Sequence, residues 1–445
     1  MDNRIAELAR KAGVIGAGGA GFPTHIKLNT KVEYVILNGA ECEPLITVDQ
    51  ILLQTKARCL TAMLEEVRQA LGAKEAIIGI KAKHQKIIQE VENGLVSYPR
   101  IKVSPLGDFY PAGDEVVLVY ETTGRQIPQG GIPLEVGVVV INVETLWNLA
   151  EAREGRPVTQ KWVTVAGAVA FPGTYQVPLG VSAAQMLKLA GDPTLSDFAV
   201  LNGGPMMGKP VKNLNEPVTK TTKALLVLPK TNPVVQNSLQ PLMQIFRQAQ
   251  SMCCQCQLCS DLCPRNLLGY KIHPHRMILA AGYHGQVNGR QITEAFLCSE
   301  CGACDLFACT MGLSPRRVNQ SLKIELTRRG VKNPYKGGSA VVHLWRDYRR
   351  IPTKRLTARL GINAYHSSPP LRMGEIVPDQ VEIPLKQHIG IAAEPIVKKG
   401  DLVKKGQLIG MIPEEGKLSS NYHASISGRV LEANKESIVI HAVEV

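Results

Sequence analysis

Eight of the eleven cysteines stand in two closely spaced groups, about 45 residues apart. The first group reads C-x2-C-x2-C-x3-C-P and the second reads C-x2-C-x2-C-x4-C. Three thiolates on one such loop can reach three corners of a 4Fe–4S cube, while the fourth, displaced cysteine points to the other cluster. The pattern therefore predicts two clusters with crossed ligand sets. These sets are Cys253, Cys256, Cys259 and Cys309, and Cys298, Cys301, Cys304 and Cys263.

Zinc is the alternative occupant, because paired C-x2-C motifs also form four-cysteine zinc sites. Zinc needs no third cysteine at the same spacing in both groups, and this favours iron–sulfur clusters. The second group has one extra residue before Cys309 and no proline after it, so this cysteine fits the pattern least well. Cys254 has no usable spacing, and Cys42 and Cys59 stand alone.

A run of glycine and alanine from residue 16 to residue 21 forms the second chemical feature. Gly16, Gly18 and Gly21 match G-x-G-x-x-G, but a dinucleotide fingerprint follows a strand, and here a helix is expected before the run. A plain flexible loop is therefore an alternative. The small side chains would let backbone N–H groups approach an anion, and Lys27 could add positive charge.

Two polar segments accompany the glycine loop, NGAECEP at 38–44 and YPAGDE at 110–115. The first follows an apolar strand and the second opens a helix. Ligands of open α/β sheets bind at the carboxyl ends of the strands. Acidic groups there could bind a ribityl chain, a ribose or a flavin ring edge. For either segment alone, a solvated cap or turn is an equal alternative.

The elements that must position these groups follow from periodicity. Strands at 34–37, 76–80 and 137–141 alternate with helices and predict an α/β layer with a parallel sheet. Residues 161–228 hold short β runs around one helix and predict a small α+β module. A helix over 237–250 leads into cysteine loops joined by helices. Further expected elements are helices over 2–12, 50–71, 84–93 and 183–190, and a β-sandwich over 380–445.

The charge and hydropathy of the chain argue against a nucleic-acid-binding protein and against a membrane-spanning protein. The net charge of +13 is partly local, because residues 323–359 hold eleven Lys or Arg against two acidic residues. That stretch lacks the interleaved aromatics of a nucleic-acid platform, so docking of an acidic protein partner or a solvated face is favoured over nucleic acid. No apolar run approaches the length of a bilayer span, about 20 residues. We therefore expect a cytoplasmic protein with no transmembrane segment.

The segments GAGGAGFPTHIK, NGAECEP, YPAGDE and INVETLWN together resemble the flavin-binding domain shared by the flavoprotein subunit of respiratory complex I and the C subunit of the Rnf electron-transport complex. With a sandwich at the C-terminus, the domain order is similar to that of the cobalamin reductases of propanediol-utilization microcompartments. The segments NGGPMMG, PVTKTTKALLVLPK and CSECGACDLFAC are also similar to that family. The longer spacing before Cys309 is a trait of the family.

The resemblance implies a multidomain protein of mixed α/β and α+β class. The implied divisions are an FMN/NADH-binding α/β domain at 1–152, a β-grasp soluble-ligand-binding domain at 158–232, a helical ferredoxin-like domain with two 4Fe–4S clusters at 237–328, a basic linker at 329–379 and a barrel-sandwich hybrid at 380–445. The sandwich resembles lipoyl carriers, but its expected hairpin tip at 423–428 holds no lysine. We therefore interpret it as a packing or docking module.

The resemblance also implies the cofactor residues. Those that would hold FMN are Gly16, Gly18, Lys27, Asn38, Glu41, Tyr110, Asp114, Glu115 and Asn142. Those that would face the nicotinamide nucleotide are Gly19, Phe22 and Glu43. Three positions depart from the complex I pattern: Ala17 replaces an arginine, Ala40 an aspartate and Ile141 the first of two asparagines. Loss of these polar groups could weaken the binding of FMN or NADH.

The implied activity is an NADH-dependent flavoprotein oxidoreductase. Electrons would pass from NADH through FMN and two 4Fe–4S clusters to an oxidised corrinoid, or to a corrinoid enzyme, inside a bacterial microcompartment. A shell protein or another redox partner is expected beside it. One alternative is an Rnf-type NADH dehydrogenase that feeds a ferredoxin, a shell-protein cluster or a membrane complex. Another is a non-enzymatic iron–sulfur adaptor that has no flavin.

Overall fold

The computed structural model describes residues 4–282, 289–335, 337–338, 340–365, 370–372, 376–414 and 416–443. In these ranges the strands form five sheets. No helix within them is long and apolar enough to cross a bilayer.

The N-terminal part is an α/β layer. Its strands are β1 (Tyr34–Asn38), β2 (Glu75–Lys81), β3 (Ile101–Leu106), β4 (Phe109–Tyr110) and β5 (Val138–Asn142). Its helices are α1 (Arg4–Lys11), α2 (Thr24–Lys27), α3 (Val48–Ala70), α4 (Gln85–Gly94), α5 (Glu115–Thr123) and α6 (Val143–Arg153), with a 3-10 turn at Pro133–Val136. The main sheet has the order β3-β2-β1-β5 and all its pairs are parallel.

Helices cover both faces of this sheet, and its central strands are therefore continuous apolar runs. Val35, Ile36 and Leu37 of β1 are all fully buried. The sequence predicted β1, β2 and β5 but gave no prediction for β3. That strand lies at the edge, half of it is solvated and it contains Pro105, so it has neither a continuous apolar run nor a clean alternation.

The second part, which we call the middle unit, has a mixed sheet of order β7-β6-β10-β8-β9. Its elements are β6 (Gln160–Gly167), β7 (Gly173–Pro178), α7 (Ala183–Leu189), β8 (Phe198–Asn202), β9 (Lys209–Pro210) and β10 (Ala224–Pro229). Strands β6 and β10 are parallel and the other pairs are antiparallel. Helix α7 begins at a capping box, in which Ser182 Oγ accepts from Gln185 N and Gln185 Oε1 accepts from Ser182 N.

The cysteine-rich part is helical. Its helices are α8 (Pro233–Leu239), α9 (Leu242–Met252), α10 (Leu258–Asp261), α11 (Pro264–Leu267), α12 (Pro274–Gly282), α13 (Gly289–Ile292) and α14 (Pro315–Arg328), with a 3-10 turn at Thr293–Leu297 and a π-helix at Ala303–Ala308. The single helix predicted over 237–250 was wrong. Pro241 disfavours helical torsions at Gln240, which is extended at φ −58° and ψ 129°, so α8 ends and α9 begins there.

The segment predicted as a basic linker at 329–379 is partly ordered structure in its described residues. It contains 3-10 turns at Asp347–Arg349 and Asn363–Tyr365, strand β11 (Ile351–Pro352) and helix α15 (Thr353–Arg359). Strand β11 pairs with β4, and Leu356 is fully buried. Arg346 and Arg350 both bind the carboxylate of Glu121 on α5. Part of its positive charge is therefore used within the chain to hold this segment on the α/β layer.

The C-terminal part is a β-sandwich. Its strands are β12 (Gln380–Pro384), β13 (Glu394–Pro395), β14 (Leu402–Val403), β15 (Leu408–Met411), β16 (Tyr422–His423), β17 (Gly428–Ala433) and β18 (Ser437–Ala442). The two sheets have the orders β12-β18-β17-β14 and β13-β15-β16. Alternate residues of β12 and β18 point inward, among them Val381, Ile383, Ile438 and Ile440. Their core is continuous with that of the middle unit.

Candidate functional site

A cavity of about 440 Å³ lies at the carboxyl ends of β1 and β5. We call it the cofactor cavity. The glycine loop, the segment after β1 and the segment that opens α5 form its walls. All the residues predicted for FMN and NADH line it, namely Gly16, Gly18, Gly19, Phe22, Lys27, Asn38, Glu41, Glu43, Tyr110, Asp114, Glu115 and Asn142. The structure brings these residues together, and their individual roles stay predictions.

The glycine loop leaves room where a cofactor would approach. Gly19 has φ +73°, and an added Cβ would meet nothing within 4 Å, so the backbone borders open space. A Cβ on Gly18 would lie 2.6 Å from Asn142 Nδ2, and only glycine fits there without a shift. Ala17 N donates to Thr145 Oγ1 at 2.9 Å and fixes the loop against α6. The glycine loop therefore leaves space that suits a planar or phosphorylated group.

Polar groups on the walls are held in fixed positions. Lys27 Nζ donates to Val140 O at 2.8 Å and to Glu115 Oε1 at 3.2 Å. Asn38 Nδ2 donates to Gly113 O at 2.9 Å. These contacts join the ends of β1 and β5 to the start of α5, so the side chains do not need to be ordered by a ligand.

Glu41 is turned toward the start of α3. Its two carboxylate oxygens accept from Asp49 N at 3.0 Å and Gln50 N at 3.1 Å. Burial raises the pKa of Glu41 to about 7, and the nearby Asp49 carboxylate acts in the same direction. Lys223 of the middle unit lies 3.6 Å from Glu41 Oε1 and also pairs with Asp49. The carboxylate thus has protein partners as well as a place in the cavity wall.

Glu43 contacts the middle unit. Its Oε2 accepts from Met206 N at 3.0 Å, while its Oε1 is buried without a partner. Burial raises the pKa of Glu43 to about 7. A Cβ on Gly204 would collide with this carboxylate, and so the NGGPMMG segment needs glycine there. An unpartnered carboxylate oxygen in the cavity wall is free to accept from a ligand.

Sequence reasoning missed the contribution of the middle unit. Met207 and Lys223 line the cofactor cavity, yet both lie far along the chain from the other wall residues. The NGGPMMG and PVTKTTK segments stood out only as points of resemblance. No local pattern shows that they fold back over the glycine loop.

The cysteines gather in the two sets that the crossed pattern predicted. One cavity is lined by Cys253, Cys256, Cys259 and Cys309, which we call the outer set. Another is lined by Cys263, Cys298, Cys301 and Cys304, which we call the inner set. In the described part of the chain, no three His, Cys, Asp or Glu side chains converge on a point that suits one metal ion. A cluster is wider than one ion, and thiolates spread around it.

The inner set adjoins the cofactor cavity. Cys301 lines both spaces, and Tyr110 OH donates to Cys301 O at 2.6 Å. Asp114 caps α5 through Val116 N and Val117 N, and its other oxygen accepts from Arg265 Nη2 at 3.0 Å. Arg265 follows Cys263 by two residues. Hydrogen bonds therefore tie the wall of the cofactor cavity to two cysteine loops of the inner set.

The outer set lies nearer to solvent. Cys256 is exposed, as is its neighbour Cys254. Arg359 Nη2 donates to Cys309 O at 3.1 Å, and Cys309 Sγ accepts from Leu313 N at 3.3 Å. Burial raises the pKa of the Cys259 thiol to about 12. A metal centre bound there would deprotonate the thiol outright.

The C-terminal sandwich supports the glycine loop from behind. A Cβ on Gly21 would lie 2.9 Å from Gln387 O and 3.2 Å from His388 Cα. The buried Lys220 Nζ donates to Gly13 O and to Asn421 O, both at 2.7 Å. Loop, middle unit and sandwich therefore meet at one place.

Comparison with protein families matches three parts of the chain. Residues 9–151 match the Nuo51 FMN-binding domain, residues 252–314 a 4Fe-4S dicluster domain and residues 367–443 the RnfC barrel sandwich hybrid domain. These matches confirm the predicted flavin domain, iron–sulfur domain and C-terminal sandwich. They do not test the β-grasp identification of the middle unit.

Curated relatives match nearly the whole chain. The cobalamin reductase PduS of Salmonella typhimurium strain LT2 is 42% identical over 439 residues, which is 98% of this chain and 96% of that protein. The Citrobacter freundii protein of the same name is 41% identical with the same coverage. A third relative is the C subunit of the Na(+)-translocating ferredoxin:NAD(+) oxidoreductase complex of Acetobacterium woodii, which is 32% identical over 59% of this chain and 58% of its own.

A solved structure shows the same fold. The NAD+-reducing [NiFe]-hydrogenase in the H2-reduced state aligns with a TM-score of 0.50 at 22% identity, covering 75% of this chain and 63% of the other. At this identity the likeness concerns the fold alone.

Proposed function

This chain belongs to the cobalamin reductase PduS family, and from that premise we propose that it is an NADH-dependent oxidoreductase that delivers electrons to the cobalt of an oxidised corrinoid. The observation that carries this proposal is the shared wall between the cofactor cavity and the inner set, where Cys301 borders both and Tyr110 bonds to its carbonyl. One NADH gives two electrons and becomes NAD+ with release of a proton. Two cobalt(III) centres would take one electron each.

The residues present fit the expected cofactors. The open space at Gly19, the close approach at Gly18 and the unpartnered Glu43 oxygen suit a bound flavin and nucleotide. When bound, FMN accepts hydride, and iron–sulfur clusters carry electrons singly. The residues that would hold FMN are Gly16, Gly18, Lys27, Asn38, Glu41, Tyr110, Asp114, Glu115 and Asn142. Gly19, Phe22 and Glu43 would face the nicotinamide nucleotide.

Two lysines help to fix the glycine loop and the wall of the cofactor cavity. Lys27 Nζ donates to Val140 O and pairs with the part-exposed Glu115, which holds the ammonium group in place at the cavity wall. At Ala17, where the resemblance expects arginine, the cation that contacts the loop is Lys161, which donates to Ala17 O and pairs with Glu144. Its charge is thus already neutralised, and this supports weaker flavin binding than in a chain with arginine.

Finer features belong to the same proposal. The middle unit would be a β-grasp domain, which its mixed sheet with the single helix α7 supports. The inner and outer sets would hold one 4Fe–4S cluster each. The protein would lie in the cytoplasm within a bacterial microcompartment, beside a shell protein or another redox partner.

The test is anaerobic reconstitution followed by spectroscopy. We expect bound FMN, about eight iron atoms per chain and NADH-dependent conversion of hydroxocobalamin to the cobalt(II) form. Reduction of a ferredoxin but not of hydroxocobalamin would favour the Rnf-type alternative. The similarity to the C subunit of the Acetobacterium woodii complex supports this alternative. Clusters without flavin binding or NADH oxidation would favour the non-enzymatic adaptor.

A further inference from the structure

A second large cavity, of about 620 Å³, lies beside the outer set. It shares no lining residue with the cofactor cavity. Helices α8 and α9, the loop after Cys309 and Arg359 form its walls. We call it the amide cleft. Its volume is in the range of small-molecule sites, which run from about 300 to 1,000 Å³.

The cleft wall carries a stripe of carboxamides. Gln236 of α8, Gln240 at the break between the helices, and Gln244 and Gln248 of α9 all line the cleft. Gln240 Nε2 donates to Gln248 Oε1, so two of these amides are paired with each other across the break. Asn237 adds a further amide, whose Nδ2 donates to Ser314 Oγ at 2.7 Å while its buried Oδ1 has no partner. A polar atom without a partner at the cleft wall costs free energy unless a ligand or water binds it.

Apolar side chains complete the cleft and connect it to the outer set. Leu239 is 53% exposed and Met311 is 40% exposed, and both line the cleft. Met311 also lines the cavity of the outer set. The loop that follows Cys309 is therefore a common wall between the outer set and the cleft. A ligand in the cleft would lie one loop away from the outer cysteines.

We propose that the amide cleft binds the carboxamide-bearing edge of the corrinoid and so forms its reduction site. This inference rests on the proposed function and locates the substrate. A corrin ring presents primary carboxamides around an apolar macrocycle. Each glutamine or asparagine amide donates and accepts at once, and so can pair with a primary amide in both directions. An acidic protein partner would instead need a basic surface, and Arg359 is the one cationic residue among the described residues that line the cleft.

The test is equilibrium dialysis of hydroxocobalamin against the full chain. The double variant Gln244→Glu with Gln248→Glu keeps the shape of each side chain but removes two amide donors. We expect binding at least about tenfold weaker, the loss of about 1.4 kcal/mol that corresponds to two ordinary hydrogen bonds. Gln250→Glu is the matched control, because it makes the same change on α9 at a residue that does not line the cleft. We expect it to bind as the wild type does.

Other outcomes separate the two proposals. Equal binding by the double variant and the wild type, equal weakening by Gln250→Glu, or no binding to the wild type would each overturn the cleft site. Dicyanocobinamide, which keeps the carboxamides but lacks the nucleotide loop, should compete with hydroxocobalamin, and failure to compete would count against the amide edge. A wild-type chain that binds hydroxocobalamin but does not reduce it with NADH would instead sink the proposed function. Should the double variant lose its iron, Gln236→Glu on α8 replaces it, with the same expected direction.

Discussion

The inner and outer cysteine sets arise from nearly the same local sequence and differ in what surrounds them. Cys263 and Cys304 of the inner set are buried, whereas Cys256 of the outer set is exposed. The inner set adjoins the cofactor cavity, and the outer set adjoins the amide cleft. The two motifs are closely alike, so the difference in burial and in neighbouring cavities comes from the packing between units.

The packing around the inner set comes from three parts of the chain. Arg316 of α14 pairs with Asp305 at 3.0 Å and binds Met206 O of the middle unit. A Cβ on Gly302 would lie 2.8 Å from that same carbonyl, so the approach is close. Tyr110 adds the contact from the α/β layer. Hydrogen bonds and charges at such a buried site tune a cluster more strongly than those near solvent.

The outer set is held mainly within the helical part. Its neighbours include a small apolar core of α9, α12 and α14, with Ile245, Met277 and Val318 buried in it. A change there should disturb one cluster and leave the cofactor cavity intact. A change at the inner set should disturb the inner cluster and the cofactor cavity together.

Removing one ligand from each set gives the largest expected effects. Cys301→Ala and Cys256→Ala should each lose about half of the bound iron, and both should lose reduction of hydroxocobalamin. Only Cys301→Ala should also weaken flavin binding, because Cys301 lines the cofactor cavity. Iron, FMN and cluster spectra measured on both variants check this. If Cys256→Ala lost flavin as readily as Cys301→Ala, the inner–outer distinction would be wrong.

Gly18→Val tests the cofactor side of the comparison. Its Cβ would lie 2.6 Å from Asn142 Nδ2, and the larger side chain would block approach to the backbone. FMN content and NADH oxidation should fall together, while iron stays near the wild-type amount. The internal control is the iron content. Unchanged FMN content would move the flavin site elsewhere.

Glu43, in the wall of the cofactor cavity, should make the stability of the chain depend on pH. Its folded pKa of about 7 exceeds the ordinary value of 4.5, so the folded chain binds the extra proton between these values. Stability from this group is therefore greatest at low pH and falls as the pH rises through that window, by up to about 1.4 kcal/mol per pH unit. The apparent unfolding temperature of Glu43→Gln should fall less with pH than that of the wild type. Parallel curves would contradict the assignment.

Tyr110→Phe is the smallest change. It removes the hydroxyl that donates to Cys301 O at 2.6 Å and leaves that carbonyl without this donor. We expect a loss of about 1–2 kcal/mol in stability and a shifted signal from the inner cluster, with the outer signal unchanged. Comparison of the two spectra in one sample makes the outer cluster its own control. A change in the outer signal would show that the two sets are not independent.

Much of this arrangement could be predicted from the sequence, because local spacing carries it. The crossed cysteine sets follow from intervals of two, three and four residues, and Asn38 and Asn142 meet because both end parallel strands. Met207 and Lys223 could not be found in this way, since only tertiary packing brings the middle unit over the cavity. The glutamines of the amide cleft form no motif that a sequence interpretation could single out.

The contact of Gly21 with Gln387 and His388 joins two segments near opposite ends of the chain. A ribosome releases the glycine loop long before it makes the sandwich that stands behind it. A nascent or prematurely terminated chain that ends before the sandwich therefore lacks the residues that pack behind the glycine loop. Because the loop is synthesised before the sandwich, it reaches its packed arrangement only after residues 387 and 388 have been made.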